Sequence, residues 1–426
     1  MTENNLCVSK ETCRICGSSE LPTIIDLGQQ CIGSLFVKGE VPSFLQQHYP
    51  LQLVRCSGKG SCGLVQLKHT ISPSVLYSHY GYQSGINERM RANLLDIAIK
   101  AEQFVGLKSG DTVLDIGCND GTLLCSYQTE GLDKLGLDPA TNIVEIAKGR
   151  GLNVINDFFS FETYAKARPN VKAKVVTSIA MFYDLEDPRK FIHDVASLLA
   201  NDGVWIIEQS YLPFMLERNS FDTICHEHLE YYSLKQIEWM LEREDLLVHK
   251  IEFNDINGGS FRLFIRPRQF GAVEPAKARE INRVREKEKA IGLETDAPYM
   301  AFREASLQVC QDLRNLLIEL KESGKSVYIY GASTKGNTIL QFCDIDQNLV
   351  AKAADRNPDK WGRFTLGTNI PIISEEQARA EKPDYFLVLP WHFFEVFKKR
   401  EEAFLKRGGQ FILPLPNVQI IGQDDL

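Results

Sequence analysis

The sequence predicts an α/β protein in three parts: a central doubly wound parallel sheet, a small cysteine-bearing unit ahead of it, and a second, smaller α/β unit behind it. Three observations predict this. Cysteines gather near the N-terminus, strand-like and helix-like segments alternate between residues 111 and 210, and a second strand, glycine loop and helix opens near residue 327. Such alternation implies parallel strands, because each parallel connection must cross back over the sheet, usually through a helix.

The 426 residues carry 48 Lys+Arg against 56 Asp+Glu, a formal charge of −8. That balance argues against a dedicated nucleic-acid binder, which presents a basic face. At roughly 150 residues per domain the length fits two or three domains. No apolar run approaches the roughly 18 residues of a membrane span, and MTENNLCVSK has neither the basic nor the apolar region of a signal peptide. A cytoplasmic monomer with no membrane partner is expected.

Eleven cysteines scattered through such a chain are not a disulfide framework. Cys13 and Cys16 form a C-x-x-C, and Cys56 and Cys62 form a wider pair with five intervening residues. Two such pairs can turn four thiolates toward one tetrahedral Zn²⁺, and Gly17 and Gly63 follow them where a knuckle turns left-handed. Four Cys ligands leave no open position, so the expected ion is structural. Cys7 and Cys31 are spare thiols.

In DTVLDIGCNDGTLLC a strand containing Asp115 runs into Gly117-Cys118-Asn119-Asp120-Gly121 and then a helix start. Glycines at 117 and 121 let backbone approach a ligand at the mouth of a strand-to-helix turn. The dinucleotide fingerprint wants a second glycine where Asn119 stands, so a ligand without a pyrophosphate fits better. Asp138, 23 residues beyond Asp115, ends the next strand and is placed to accept ribose hydroxyls. Asp157 follows a further apolar segment and can accept from an adenine amino group. Each Asp alone also reads as a helix cap.

VLDIGCNDGTLL, LGLDP and NDFF resemble the S-adenosylmethionine loops of class I methyltransferases. The whole arrangement resembles the three-domain deoxysugar C-methyltransferases that act on nucleotide-linked ketosugars. The resemblance implies a central class I methyltransferase (Rossmann-like) domain, with the Gly117 to Gly121 loop on the methionine portion, Asp138 on the ribose, and Asp157 with Phe158 on the adenine.

The densest cluster of reactive side chains is SFDTICHEHLEYYSLKQIEWM, with His226, Glu227, His228, Tyr231 and Tyr232. Methylating carbon requires removal of a proton beside a carbonyl and support of the resulting enolate. A His is a suitable base, and a carboxylic acid or a Tyr such as Tyr232 can donate to the oxyanion. The family's E-H pair falls on Glu227-His228, which implies His228 as general base and Glu227 as its orienting or polarising partner. Two readings compete: His226 and His228 as an H-x-H metal site, or as core histidines. HYGYQSGINERM resembles the family's segment that sets a Tyr over the sugar, with Tyr80 and Tyr82 both candidates. Tyr183 stands near a position where some relatives carry a His. Asn257 to Ser260 reads as a hairpin turn.

Residues 274 to 322 read as amphipathic helices of a domain connection, broken at Gly292 and Pro298. KSVYIYGASTKGNTILQFC then opens the second unit, where Lys335 at a helix start makes an anion site suited to a diphosphate. Arg356 and Lys360 stand at the next strand end. The family implies that this unit helps hold the nucleotide-sugar, with Trp391 and His392 as contacts. The expected domains are a zinc-binding domain at 1–75, the methyltransferase domain at 76–270, a helical connector at 271–323 and a Rossmann-like nucleotide-sugar domain at 324–426. The expected activity is S-adenosylmethionine-dependent methylation of carbon 3 of a nucleotide-linked 4-keto deoxysugar through an enolate. The alternatives are an O- or N-methyltransferase on another metabolite, a non-catalytic zinc-ribbon binding protein, and a dehydrogenase.

Overall fold

The structure is a computed structural model that describes residues 6–39, 47–77 and 81–425. Near the N-terminus, β1 (Thr23–Gln30), β2 (Tyr49–Arg55) and β3 (Val65–Leu67) form an antiparallel sheet. Within β1, Ile25 and Leu27 are buried while Asp26 and Gly28 face solvent, the period of a half-covered strand.

The chain then enters α1 (Glu88–Val105), capped by the Asn87 side chain and ended by Gly106 in the left-handed conformation. Its buried residues Met90, Leu94, Ile97, Ala98 and Ala101 recur at three and four, so one face packs on the central sheet. In β4 (Thr112–Ile116) every residue is buried, as expected for a parallel strand covered on both faces. The short helix α2 (Thr122–Ser126) follows, then strands β5 (Asp133–Leu137), β6 (Asn153–Ile155), β7 (Ala173–Ile179) and β8 (Leu199–Ser210).

Past β8 the two-residue strand β9 (Glu230–Tyr231) leaves the central sheet and pairs with β3, Glu230 opposite Gln66 and Tyr231 opposite Val65. After α3 (Leu234–Leu241), which starts in a Ser233/Gln236 capping box, the chain returns as the hairpin β10 (Leu246–Asn254) and β11 (Ser260–Pro267). The expected turn between them is built on positive φ at Asn257, Gly258 and Gly259. The seven strands lie in the order β6-β5-β4-β7-β8-β11-β10, and β11 is antiparallel to both its neighbours. Chain progression reverses between β4 and β7. In doubly wound sheets that point opens a crevice at the strand carboxyl ends where ligands bind.

Helices α4 (Pro275–Ile291) and α5 (Ala297–Glu322) are separated at Gly292, and Pro298 lies in the first turn of α5. They pack as part of the core rather than as a free linker. Glu288 of α4 accepts from the Tyr211 hydroxyl and the Leu234 amide at 2.7 Å each, and Leu313 and Leu317 of α5 share an apolar cluster with Ile25, Leu53 and Ile329. The last sheet begins with β12 (Val327–Tyr330), α6 (Thr334–Phe342) and β13 (Lys352–Asp355). It is completed by β14 (Ile372–Ser374), β15 (Tyr385–Val388), β16 (Gln410–Leu413) and β17 (Gln419–Ile421). Its order is β14-β13-β12-β15-β16-β17, parallel except for β17 at the edge.

Candidate active site

The Sγ atoms of Cys13, Cys16, Cys56 and Cys62 lie within 4.8 Å of one another, with Cys13 and Cys62 at 3.5 Å and Cys16 and Cys56 at 3.4 Å. A tetrahedral zinc with bonds of about 2.3 Å spaces its sulfurs by about 3.8 Å, so the four residues fit the ion. Gly17 and Gly63 take φ of 76° and 78°, the left-handed turns expected after each pair. No other group of three or more His, Cys, Asp or Glu among the described residues is arranged to hold a metal. The H-x-H reading therefore fails. His226 Nε2 lies 3.4 Å from the Tyr49 carbonyl, whereas His228 turns to another neighbourhood. Cys31 sits by His48, apart from the cluster.

The zinc unit braces the segment that carries His228. Gln236 donates to the Cys62 carbonyl at 3.1 Å. Arg14, inside the first C-x-x-C, donates to the Leu67 carbonyl and the Thr70 hydroxyl at 2.6 Å each, and its Nε lies 3.6 Å from Glu230.

At the switch point, Gly117 and Asn119 between β4 and α2 have φ of 71° and 51°. A Cβ on Gly117 would come within 3.0 Å of the Met181 side chain. Asn119 thus holds a backbone conformation that suits glycine, and its side chain does work glycine could not. Its Oδ1 accepts from Ser84 N at 2.9 Å and its Nδ2 donates to the Tyr82 carbonyl at 3.1 Å, while Asp120 accepts from Gly85 N at 2.9 Å. Residues 82 to 85 are thereby stitched over the loop. The Tyr82 ring is 43% exposed, and Tyr80 lies outside the described residues.

Asp138 at the end of β5 accepts from the amides of Asn119 and Ala140 at 2.9 Å each. A carboxylate has further acceptor sites, so this use leaves room for ribose hydroxyls. Asp157 and Phe158 lie exposed after β6, with Phe158 49% accessible, a free apolar face beside the crevice. These residues fit the nucleoside of S-adenosylmethionine. Asp115 precedes this loop. Buried in β4, it accepts from the Thr177 hydroxyl at 2.6 Å, and burial pushes its carboxyl up to about 7. It ties β4 to β7 beneath the loop.

His228 Nδ1 lies 2.9 Å from the Thr223 carbonyl. A carbonyl only accepts, so Nδ1 carries the proton and Nε2 is left as the basic nitrogen. The imidazole meets the Tyr183 ring edge-on at 4.4 Å between centroids. A small cavity opens beside it, lined by Tyr183, Ser210, Tyr211, Thr223 and Tyr231. Burial, with the Lys335 ammonium second, pushes His228 down to about 3. Glu227 is buried, and burial raises its carboxyl, opposed by hydrogen bonds from Ser34 and Cys225. Its orienting role passes to Thr223. With its carboxyl raised by burial, Glu227 is suited to polarise a carbonyl.

Tyr232 requires a correction. Its ring packs against Phe182 at 5.4 Å and belongs to the apolar cluster around Cys13, Cys56 and Cys62. Side chains alternate along an extended segment, and the tyrosine on the site's side is Tyr231, whose hydroxyl donates to the Thr223 carbonyl at 3.3 Å.

The cations of the last unit divide. Lys335 turns inward, donating to the Asn257 carbonyl at 2.7 Å. Burial lowers its ammonium, opposed by Asp222. Lys360 braces its own loop, donating to the Ala332 carbonyl at 2.7 Å beside Asp355 at 3.2 Å. Arg356 stands exposed after β13. Trp391 donates to Asp222 Oδ2 at 3.1 Å. Tyr183, Thr223 and Asp222 are the site residues that sequence reasoning did not assign; local sequence carried no signal that they surround His228.

Strand order, the glycine loop at the switch point and the acidic strand tip define a class I S-adenosylmethionine-dependent methyltransferase. Comparison with known proteins agrees. Residues 13–77 match a family described as "Putative zinc binding domain", residues 82–251 one described as "Methyltransferase domain", and residues 255–416 one described as "C-methyltransferase C-terminal domain". The C-methyltransferase NovU of Streptomyces niveus is 31% identical over 420 residues, 97% of each chain. A ubiquinone biosynthesis O-methyltransferase of Salmonella paratyphi A is 34% identical over 116 residues, 26% of this chain and 48% of that one. Among solved structures, the plantazolicin methyltransferase BpumL with S-adenosylhomocysteine overlaps with a TM-score of 0.35 at 16% identity, over 42% of this chain and 86% of that one. The chain belongs to the three-part C-methyltransferases, with S-adenosylmethionine as cofactor and a structural zinc.

Proposed function

We propose that the protein methylates the carbon α to a ketone, carbon 3 of a nucleotide-linked 4-keto deoxysugar, through an enolate. The observation that carries this reading is the state of His228: Nδ1 is tied to a carbonyl, and Nε2 is the basic nitrogen of a half-buried, neutral imidazole. S-adenosylmethionine supplies an electrophilic methyl group, so the chain's own task is to make a carbon nucleophilic. His228 Nε2 takes the α proton. Glu227, whose carboxyl burial raises, donates in its acid form to the ketone oxygen as charge develops there. The inward Lys335 adds a positive charge near the same place. Holding the donor and the enolate face to face accounts for much of the acceleration, since an oriented pair reacts as if unimolecular.

A nucleotide-linked sugar is supported by the second βα loop lying against the base. With Lys335 and Lys360 turned inward, Arg356 is the cation left in solvent for a diphosphate. Incubation with nucleotide-linked 4-ketosugars and S-adenosylmethionine, read by carbon NMR, tests the assignment. A new methyl on the carbon next to the ketone supports it. A methyl on oxygen or nitrogen overturns it.

A further inference from the structure

We propose that the C-terminal half sets the catalytic base: Trp391 and Thr338 are positioning residues that hold the Asp222–Ile224 segment so that the Thr223 carbonyl fixes the tautomer and aim of His228. The inference rests on the assignment of His228 as base. A neutral imidazole is a base at Nε2 only while Nδ1 keeps its proton, and the hydrogen bond made by Nδ1 decides this. Here that bond goes to one main-chain carbonyl, Thr223, which also receives the Tyr231 hydroxyl. The position of a short buried turn therefore governs the base, and both of its flanks are fixed from far away in the chain.

On one flank, Asp222 Oδ2 accepts from Trp391 Nε1 at 3.1 Å. On the other, the Ile224 carbonyl accepts from the Thr338 hydroxyl at 3.0 Å. Just upstream, Asn219 donates to the Pro416 carbonyl at 3.3 Å and accepts from the Ser306 hydroxyl at 2.8 Å. Lys335 fastens α6 to the β10–β11 turn through the Asn257 carbonyl at 2.7 Å. Asp222, Thr223 and Ile224 are all buried, so water does not replace these partners. The groups facing His228 are the Tyr183 ring, the Thr223 carbonyl and the Lys335 ammonium, and Glu230 and Tyr231 line the same cavity. The base is thus completed by docking of the two halves.

Thr338→Val deletes one of these hydrogen bonds and keeps the shape of the side chain, Trp391→Phe deletes the other and leaves a smaller aromatic ring in the same apolar cluster, and Thr338→Ser restores the hydroxyl. On the full-length zinc-loaded protein, each deletion is expected to lower kcat roughly tenfold. The Kd for S-adenosylmethionine in both, and the KM for the nucleotide-sugar in Thr338→Val, should stay within about twofold; Trp391→Phe, at a residue the resemblance sets beside the sugar, is read by kcat and tautomer alone. Nitrogen NMR of ring-labelled histidine should show His228 protonated at Nδ1 in the parent and in Thr338→Ser, and a mixture of tautomers in the two deletions. Unchanged kcat, a loss expressed only in KM, or an unchanged tautomer would each overturn the inference. If either deletion fails to fold, the other decides with the same readouts. The tautomer signal needs no substrate, so it judges this proposal even if the parent methylates no ketosugar, a result that would sink the functional reading instead.

Discussion

At the scale of single residues, chemistry is set by what each side chain is denied. His228 is largely withdrawn from water, and Lys335 adds like charge, so its folded pKa falls to about 3 from an ordinary value near 6.5. A lowered histidine pKa keeps the neutral, basic form as pH falls, so the acid limb of the kcat/KM profile is expected well below 6.5. Lys335→Met removes the like charge, makes protonation easier and should move that limb upward; a limb that stays in place would remove Lys335 from the electrostatics of the base. His228→Asn should abolish turnover and leave S-adenosylmethionine binding intact by calorimetry, with near-normal turnover counting against the base. Residues of this kind were only half legible. Glu227-His228 stood out as a dense local cluster, but Thr223 and Lys335 come to the imidazole through folding, and Tyr231 and Tyr232 differ only in which way a two-residue strand points each ring.

At the scale of elements, the loop between β4 and α2 shows what a departure from pattern is for. Asn119 takes a left-handed φ at the place of a fingerprint glycine and uses its amide to hold residues 82 and 84. Asn119→Gly should keep the turn and lose both bonds. At about 0.5 to 1.5 kcal/mol per hydrogen bond, and 1.4 kcal/mol per factor of ten, S-adenosylmethionine binding should weaken by roughly tenfold in calorimetry. Equal affinity would show that this strap does not contribute to the cofactor site. The loop and the cysteine pairs were readable because their chemistry lies within a few neighbouring residues. The strap was not, because the partners of Asn119 lie 35 and 37 residues away.

At the scale of the whole molecule, the three parts converge on residues 212 to 232. The zinc unit pairs β3 with β9 and meets Glu230 through Arg14, and Gln236 of α3 donates to its Cys62 carbonyl. Metal analysis is expected to return about one zinc per chain. Cys56→Ser should lose the ion, lower Tm and lower turnover together, whereas loss of zinc with full activity would detach the unit from the site. Alternation of strands and helices foretold two α/β units, and the sequence of the connector foretold two helices. That these helices are core, and that the last unit closes on the base, depends on burial across hundreds of residues, which no local pattern encodes. The central claim is that His228 makes a carbon nucleophile, and exchange of the α hydrogen tests it most directly. The protein, a nucleotide-linked 4-keto deoxysugar and deuterated solvent, without the methyl donor, should give deuterium at carbon 3 and not at carbon 5, the other carbon beside the ketone, and His228→Asn should give none. Absence of exchange in the parent alongside methylation of oxygen or nitrogen would contradict the account.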